Sequence, residues 1–257
     1  IEIPEGVIEK GEIKNENALA EVLSLWAARE RKRLRSSFVA VSLPEEKSFL
    51  RLIQLPKVKR DEVANAVRWE IEANIPLPPE ELVYDYEVIE PLEDHLSHLD
   101  VVITAFPKSI VESYLRVLKA VGFQVSYLEL ESQAIVRSAV FELRQKRAQI
   151  LVDMGRGRTS FIIVAGGAII FTTTVKLGGQ DLEKNIAKDL GVSMNQAFAL
   201  KEEVGLNKIT EGGKVYSALL PTVLLLAEEL KKVVIYYQDH ALHTHGGSRA
   251  IENILLL

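Results

Sequence analysis

The residues best equipped for chemistry in this 257-residue chain fall between Ile150 and Leu182, in "ILVDMGRGRTSFIIVAGGAIIFTTTVKLGGQDL". Asp153 stands at the end of an apolar strand, Gly155 and Gly157 shape the turn that follows, and Thr159 opens the returning strand. A strand-end carboxylate can hold a metal-bound water while the amides of a glycine turn meet phosphate oxygens. The same Asp-x-Gly spacing also suits an ordinary β-turn. Gly178-Gly179 forms a second corner just before a helical pattern, a place where amides can meet an anion and where strands commonly join helices. Arg156 and Arg158 have the guanidinium geometry for phosphate and equally suit a solvated loop.

Other constellations are weaker. His240, His243 and His245 are close in sequence, but only Asp239 accompanies them as a further ligand type; His95 and His98 read as loop residues. No serine sits in a nucleophile elbow, and helical carboxylates such as Glu70 and Glu72 point to different faces. With no cysteine, disulfides, thiolate metal sites and cysteine nucleophiles are excluded. A formal charge of −5 and the lack of a basic stripe with interleaved aromatics argue against nucleic acid as a partner. No apolar run approaches the roughly 18–20 residues that a membrane helix needs.

The elements that must position these residues follow from periodicity. A helix is expected over 17–33, with Asn15 or Asn17 as N-cap and a cationic last turn. Strands are expected over Phe38–Pro44 and Phe49–Pro56, then a helix over Arg60–Asn74 with Val63, Val67 and Ile71 on one face. Prolines 76, 78 and 79 interrupt regular structure. Strands over Leu82–Glu90 and Leu99–Pro107, joined by a hairpin loop, lead to a helix that Gly122 ends. A strand from Phe123 and a helix from Ser132 come next, followed by the three strands of the quoted segment. Helices stopped by Gly191 and Gly205 and a long helix over Lys214–Leu242 precede a last strand, "RAIENILLL".

Several of these segments together resemble one family. "LPEEKSFLRLIQLPKVKRDEVANAVRWEIEANIPLPPEELVYDYEVIE" is similar to the signature stretch of PilM-type proteins, the actin-like components of type IV pilus assembly; Trp69-Glu70, Ile75-Pro76 and Asp85-Tyr86 occur in the family's order. "YLELESQAIVRSAV", the quoted glycine segment and "ALKEEVGL" continue the likeness in register. The resemblance extends to FtsA and implies an actin-like (ribonuclease H-like) α/β fold in two lobes, with a small inserted α+β subdomain of strand, helix and two strands.

By that resemblance residues 1–45 and 125–147 form the first lobe and 46–124 the insert. Residues 148–192 would carry the phosphate-type hairpin of the second lobe, 193–239 its helical subdomain and 240–257 its final strand. The resemblance further implies ATP and Mg as cofactors. Asp153 would orient the metal-bound water, Gly155, Gly157 and Thr159 would lie near the phosphates, Gly178 and Gly179 would form the following turn, and Lys201 would lie near the nucleoside. Its implied partner is the N-terminal tail of a PilN-like inner-membrane protein, docked beside the insert, with other pilus platform components as further partners. The chain would then be cytoplasmic and reach the membrane through that partner. An FtsA-like filament former and an ATPase of the same superfamily are the alternatives.

Departures from the family pattern bear on the nucleotide. The first phosphate hairpin and the adenosine loop are not within these residues, so about 30–40 residues, a hairpin's length, are expected ahead of Ile1. Phe198 stands where an acidic ribose contact is expected, and Arg156 and Arg158 replace small or hydroxylic residues. Two or three missing charge-assisted contacts, each worth roughly 1.5–3 kcal/mol, would leave nucleotide binding weak.

Overall fold

The computed structural model describes residues 1–59, 61–89, 98–140, 148–240 and 251–257. Two compact units divide the chain: Ile1–Leu143 with Gly167–Phe171, and Arg144–Gly166 with Thr172–Leu257.

In the first unit a short hairpin, β1 (Ile8–Glu9) and β2 (Glu12–Ile13), leads into α1 (Glu16–Arg29). Asn15 caps that helix, its side chain accepting the Ala18 N–H at 3.0 Å, which satisfies one of the helix's orphan donors. The helix stops at Arg29, four residues before the predicted end. Glu30 caps it, and the N–H groups of Arg33 and Leu34 both fold back to the Glu30 carbonyl.

Then come β3 (Phe38–Leu43), β4 (Phe49–Pro56), α2 (Val63–Asn74), β5 (Leu82–Ile89), β6 (His98–Pro107), α3 (Lys108–Val121), β7 (Gln124–Leu130) and α4 (Glu131–Ala139). The expected hairpin loop at 91–98 and the end of the helix expected from Ser132 lie largely outside the described residues. Two sheets result. β3 and β7 pair in parallel, with Phe38 opposite Gln124 and Leu43 opposite Leu130. β4, β6 and β5 form an antiparallel sheet with β6 in the middle.

Alternation along β6 gives that sheet two faces. Val101, Ile103 and Ala105 are buried with Leu55, Leu82 and the Val63, Val67 and Ile71 stripe of α2. α3 ends at Gly122, whose φ of +94 is the left-handed conformation that favours glycine. It packs on α1 through Val117 and Leu19. Across that contact Arg116 grips Glu16 with both arms, Nη2 at 2.7 Å and Nε at 3.1 Å, and the Ser113 hydroxyl donates at 2.7 Å.

The second unit is built on a sheet in the order β10-β9-β8-β11, from β8 (Ala148–Met154), β9 (Thr159–Ala165), β10 (Ala168–Val175, of which residues from Thr172 on belong to this unit) and, after the helices, β11 (Ile251–Leu256). β8 and β9 are antiparallel, whereas β11 runs parallel to β8. Among the described residues three α-helices lie between β10 and β11. They are α5 (Gly179–Leu190), ended by Gly191 at φ +67, α6 (Met194–Glu203), capped by Ser193, and α7 (Lys214–His240). Leu182 and Ile186 of α5 pack with Ala197 of α6 and Val215, Ala218 and Leu219 of α7. His95, His243 and His245 lie outside the described residues, while His98 sits in β6, 3.5 Å from Asp100.

Ile71 is fully enclosed, so Ile71→Ala should cost about 2–5 kcal/mol of the first unit's stability, read by urea denaturation. Hydrogen bonds from Arg116 and then Ser113 hold the Glu16 carboxyl down at about 2, against an ordinary value of 4.5. A depressed folded pKa stabilises above the unfolded value, and that contribution fades as pH falls from 4.5 toward 2. Melting temperatures across that window should therefore drop less steeply in Arg116→Ala than in the parent chain.

Candidate functional site

The glycine corner of the second unit is assembled by close backbone contact. The turn after β8 places the Gly155 and Arg156 carbonyls against the start of α5, where they accept the N–H groups of Gly179 at 3.0 Å and Gln180 at 2.7 Å. A Cβ on Gly178 would stand 2.6–2.7 Å from Gly155 O, Arg156 O and Arg158 N. No side chain fits there, so glycine is required by proximity. The Gly178 N–H is itself taken by the Asp181 carboxylate at 3.1 Å.

This differs from an open anion cradle at Gly178-Gly179, because the first amides of α5 are already bonded within the protein. Thr159 is likewise committed: fully buried, it donates its hydroxyl to the Leu177 carbonyl at 2.7 Å. It braces the hairpin from inside. Asp153, half-buried, pairs across the hairpin with Ser160. Gly157 has open space where a Cβ would be, and Arg156 beside it is exposed.

A cleft of about 420 Å³ opens beside the corner, lined by Met154, Gly155, Arg156, Gly179, Glu183, Asn195, Phe198 and Lys201 among others. The Lys201 ammonium lies 2.8 Å from Glu183 and 3.3 Å from Glu202, over the Phe198 ring at 4.8 Å. Burial alone would lower the Lys201 pKa, but hydrogen bonds to Glu183 and Glu202 outweigh it and leave the group above its ordinary value. Lys201 is therefore a fixed positive charge against α5. Glu183, only 7% exposed, is a residue that sequence reasoning missed. Its signal was an acid at an i, i+3, i+7 position with Ile186 and Leu190, on a stripe meant for the core, where a carboxylate needs a cation.

Five of the seven predicted residues, Asp153, Gly155, Thr159, Gly178 and Gly179, thus lie on or against one hairpin, with Gly157 at its tip and Lys201 across the cleft. Mg usually takes one or two carboxylates together with phosphate oxygens and water; Asp153, half-buried at the end of β8, is the carboxylate of the hairpin itself. Among the described residues no three His, Asp or Glu side chains converge as a self-sufficient metal site.

A second concavity belongs to the first unit. The face of the β4-β6-β5 sheet turned away from α2 carries Val83, Asp85 and Glu87 of β5 opposite Phe106, Thr104 and Val102 of β6. These six form the floor of a groove of about 210 Å³ walled by Leu43, Leu128, Glu129, Leu130 and Gln133. Its lining holds three carboxylates (Asp85, Glu87 and Glu129) and no basic side chain. Glu129 already pairs with Arg137 at 2.6 Å. Among the described residues β5 is an edge strand, with no partner strand on its outer side.

Among the described residues no helix is long and apolar enough to cross a membrane. The family model of the type IV pilus assembly protein PilM matches residues 1–256. A solved PilM-PilN type IV pilus biogenesis complex is similar at 25% identity and a TM-score of 0.73, over 92% of this chain and 68% of the PilM-type chain matched. MreB5 of Spiroplasma citri bound to ADP shares the fold at 12% identity and a TM-score of 0.54, over 88% of this chain and 59% of its own. The cell division protein FtsA of Bacillus subtilis (strain 168) is 26% identical over 98 residues, 38% of this chain, which spans about a fifth (22%) of that relative's length. The fold is the actin-like, two-lobe α/β fold expected from the sequence. The chain belongs to the PilM family of type IV pilus assembly proteins.

Proposed function

We propose that this chain is an assembly module that holds an extended segment of a membrane-anchored, PilN-like partner in the groove of the first unit. The observation that carries this reading is the sidedness of the β5–β6 pair: on the face turned away from α2, Val102 and Phe106 are buried at the groove's base while Val83, Asp85 and Glu87 stay exposed along β5. An extended peptide suits such a place, with main-chain hydrogen bonds to the β5 edge and alternate side chains against Val83, Val102 and Phe106. Asp85 and Glu87 on the floor call for a positive group in the tail, either its α-amino group or a basic side chain. The similar PilM-PilN complex supports a partner of that class.

In this reading residues 46–124 are the inserted subdomain, and 1–45 with 125–147 complete the lobe around it. α3 closes the insert in sequence and packs on α1, so it ties the insert to the helix ahead of it. Residues 148–192, 193–239 and 240–257 make the other lobe. The module works at the cytoplasmic face of the inner membrane, reached through its partner.

A nucleotide is the second reading, favoured by the cleft beside the glycine corner and by the similar ADP-bound MreB5 fold. Lys201, with Phe198 beside it, would contact the nucleoside side. Asp153, Gly155 and Gly157 would set the phosphate side, with Thr159 bracing the hairpin from inside and Gly178 and Gly179 from the start of α5, and Asp153 would hold Mg. The committed amides at Gly179 and Gln180 predict weak affinity, since donors already bonded within the protein cannot also serve a phosphate.

Calorimetric titration with a synthetic partner-tail peptide should show binding. Asp85→Asn with Glu87→Gln should weaken it about tenfold and flatten its salt dependence. The absence of heat and of chemical-shift change at millimolar peptide would rule the docking reading out. For the corner, Gly178→Ala should lower stability by about 3 kcal/mol, because the clash is with backbone that cannot rotate away. Mant-ATP fluorescence that responds neither to the chain nor to Lys201→Ala would remove the nucleotide reading and leave the peptide reading standing.

A further inference from the structure

The sequence "RERKRLR" (29–35) is a concentration of charge that neither the groove nor the glycine corner uses. Arg29 ends α1, and Arg31, Lys32, Arg33 and Arg35 follow in the turn folded back on the Glu30 carbonyl. All five basic side chains are exposed, while Leu34 is half-buried and anchors the turn. Glu30 is the one acid in the run, and it pairs with Arg33 at 3.3 Å. Arg29, Arg31, Lys32 and Arg35 make no ion pair among the described residues.

α3 ends near the same corner and carries a further exposed cation in its last turn. The Gln124 N–H donates to the Ser37 carbonyl at 2.8 Å, which fixes the end of α3 beside the run. The exposed Lys119 lies in that last turn. Cations near a helix C-terminus are ordinary when they number one or two. Four of these lie beyond the helix, in a chain whose formal charge is −5. Leu25, one turn ahead of Arg29 on the same helix face, is 67% exposed, and Phe38 just after the run is 64% exposed.

We propose that this basic corner docks on an anionic membrane surface. Clustered Lys and Arg side chains are drawn to the negative potential of a lipid headgroup layer, and the apolar Leu25 and Phe38 gain by entering its acyl boundary, which a nucleic-acid backbone would not offer them. One polybasic patch gives only reversible attachment, and a stable one takes a second signal. The corner is independent of the peptide groove, and either reading stands if the other fails.

The test is co-sedimentation of the chain, without any partner, with phosphatidylcholine vesicles that lack or contain phosphatidylglycerol. Binding is expected only to the anionic vesicles, and it should fade as added salt shortens the Debye length from about 8 Å toward 3 Å. The triple substitution Arg31→Ser, Lys32→Ser, Arg33→Ser should weaken binding about a hundredfold, at roughly fivefold per charge near the surface. Lys188→Ser, Lys214→Ser, Lys231→Ser removes as many exposed charges elsewhere and should leave binding within about twofold of the parent. Matching thermal melts exclude misfolding, and Arg31→Ser alone serves if the triple melts early. The proposal fails if anionic vesicles do not bind, or if both triples weaken binding alike. It also fails if duplex DNA binds as tightly at the same salt and loses binding on the same triple, which would assign the corner to nucleic acid.

Discussion

The period of two along β6 is the constraint on which the first unit depends. One strand of ten residues serves two purposes. Val101, Ile103 and Ala105 close the core over α2, while Val102, Thr104 and Phe106 floor the groove. Slipping the register by one residue would exchange the two sets and place Thr104 in the core and Ile103 in the groove. The groove therefore cannot vary independently of the first unit's stability. Its floor is as rigid as the core behind it, and this suits recognition of an extended segment whose own ordering is the main entropic cost of binding.

The second unit solves a related problem with backbone in place of side chains. At Gly178 the start of α5 touches the 155–158 turn so closely that even a methyl group is excluded. The contact makes hairpin and helix one piece, and the Thr159 hydroxyl on Leu177 reinforces it. The same closeness engages the amides of Gly179 and Gln180 with turn carbonyls. A glycine pair before a helix therefore has two possible uses, an anion cradle or a tight seam, and this corner uses the seam. What remains open to a ligand is the cleft alongside, where the Lys201–Glu183 pair holds a charge in place.

Much of this was legible in the residues. Asn15, one of the two expected N-caps, Gly122 and Gly191 as helix stops, and the Val63, Val67 and Ile71 stripe all act locally, and all stand as expected. The quoted likenesses carried the fold class. Sequence did not reveal what depends on long-range pairing. The parallel partnerships β3–β7 and β8–β11 join strands separated by more than eighty residues, and nothing in their composition names the partner. The two-residue strands at Ile8–Glu9 and Glu12–Ile13 are too short for alternation to show. The engaged amides at α5 and the Glu183–Lys201 pair depend on where α6 and the hairpin turn are placed by the core of α5, α6 and α7, which the local pattern does not encode. The 29–35 run misled in the other direction: its residues favour helix by propensity, yet the chain turns out of the helix at Glu30.

The geometry of β3 and β7 connects the groove to the basic corner. The two strands run in parallel from Phe38 and Gln124, beside the cationic turn, to Leu43 and Leu130, which wall the groove. The two surfaces thus lie at opposite ends of one strand pair, about 20 Å apart at some 3.3 Å per residue. A tail that leaves a membrane lying against the corner must cover that distance before it seats, which takes about six extended residues. Both attachments would then act on one compact unit. Once the corner rests on lipid, a tethered tail meets the groove at a local concentration in the millimolar range, so a modest peptide affinity suffices. Weak binding at each surface would then be compatible with firm placement, and the lobe would still be released when either contact is lost.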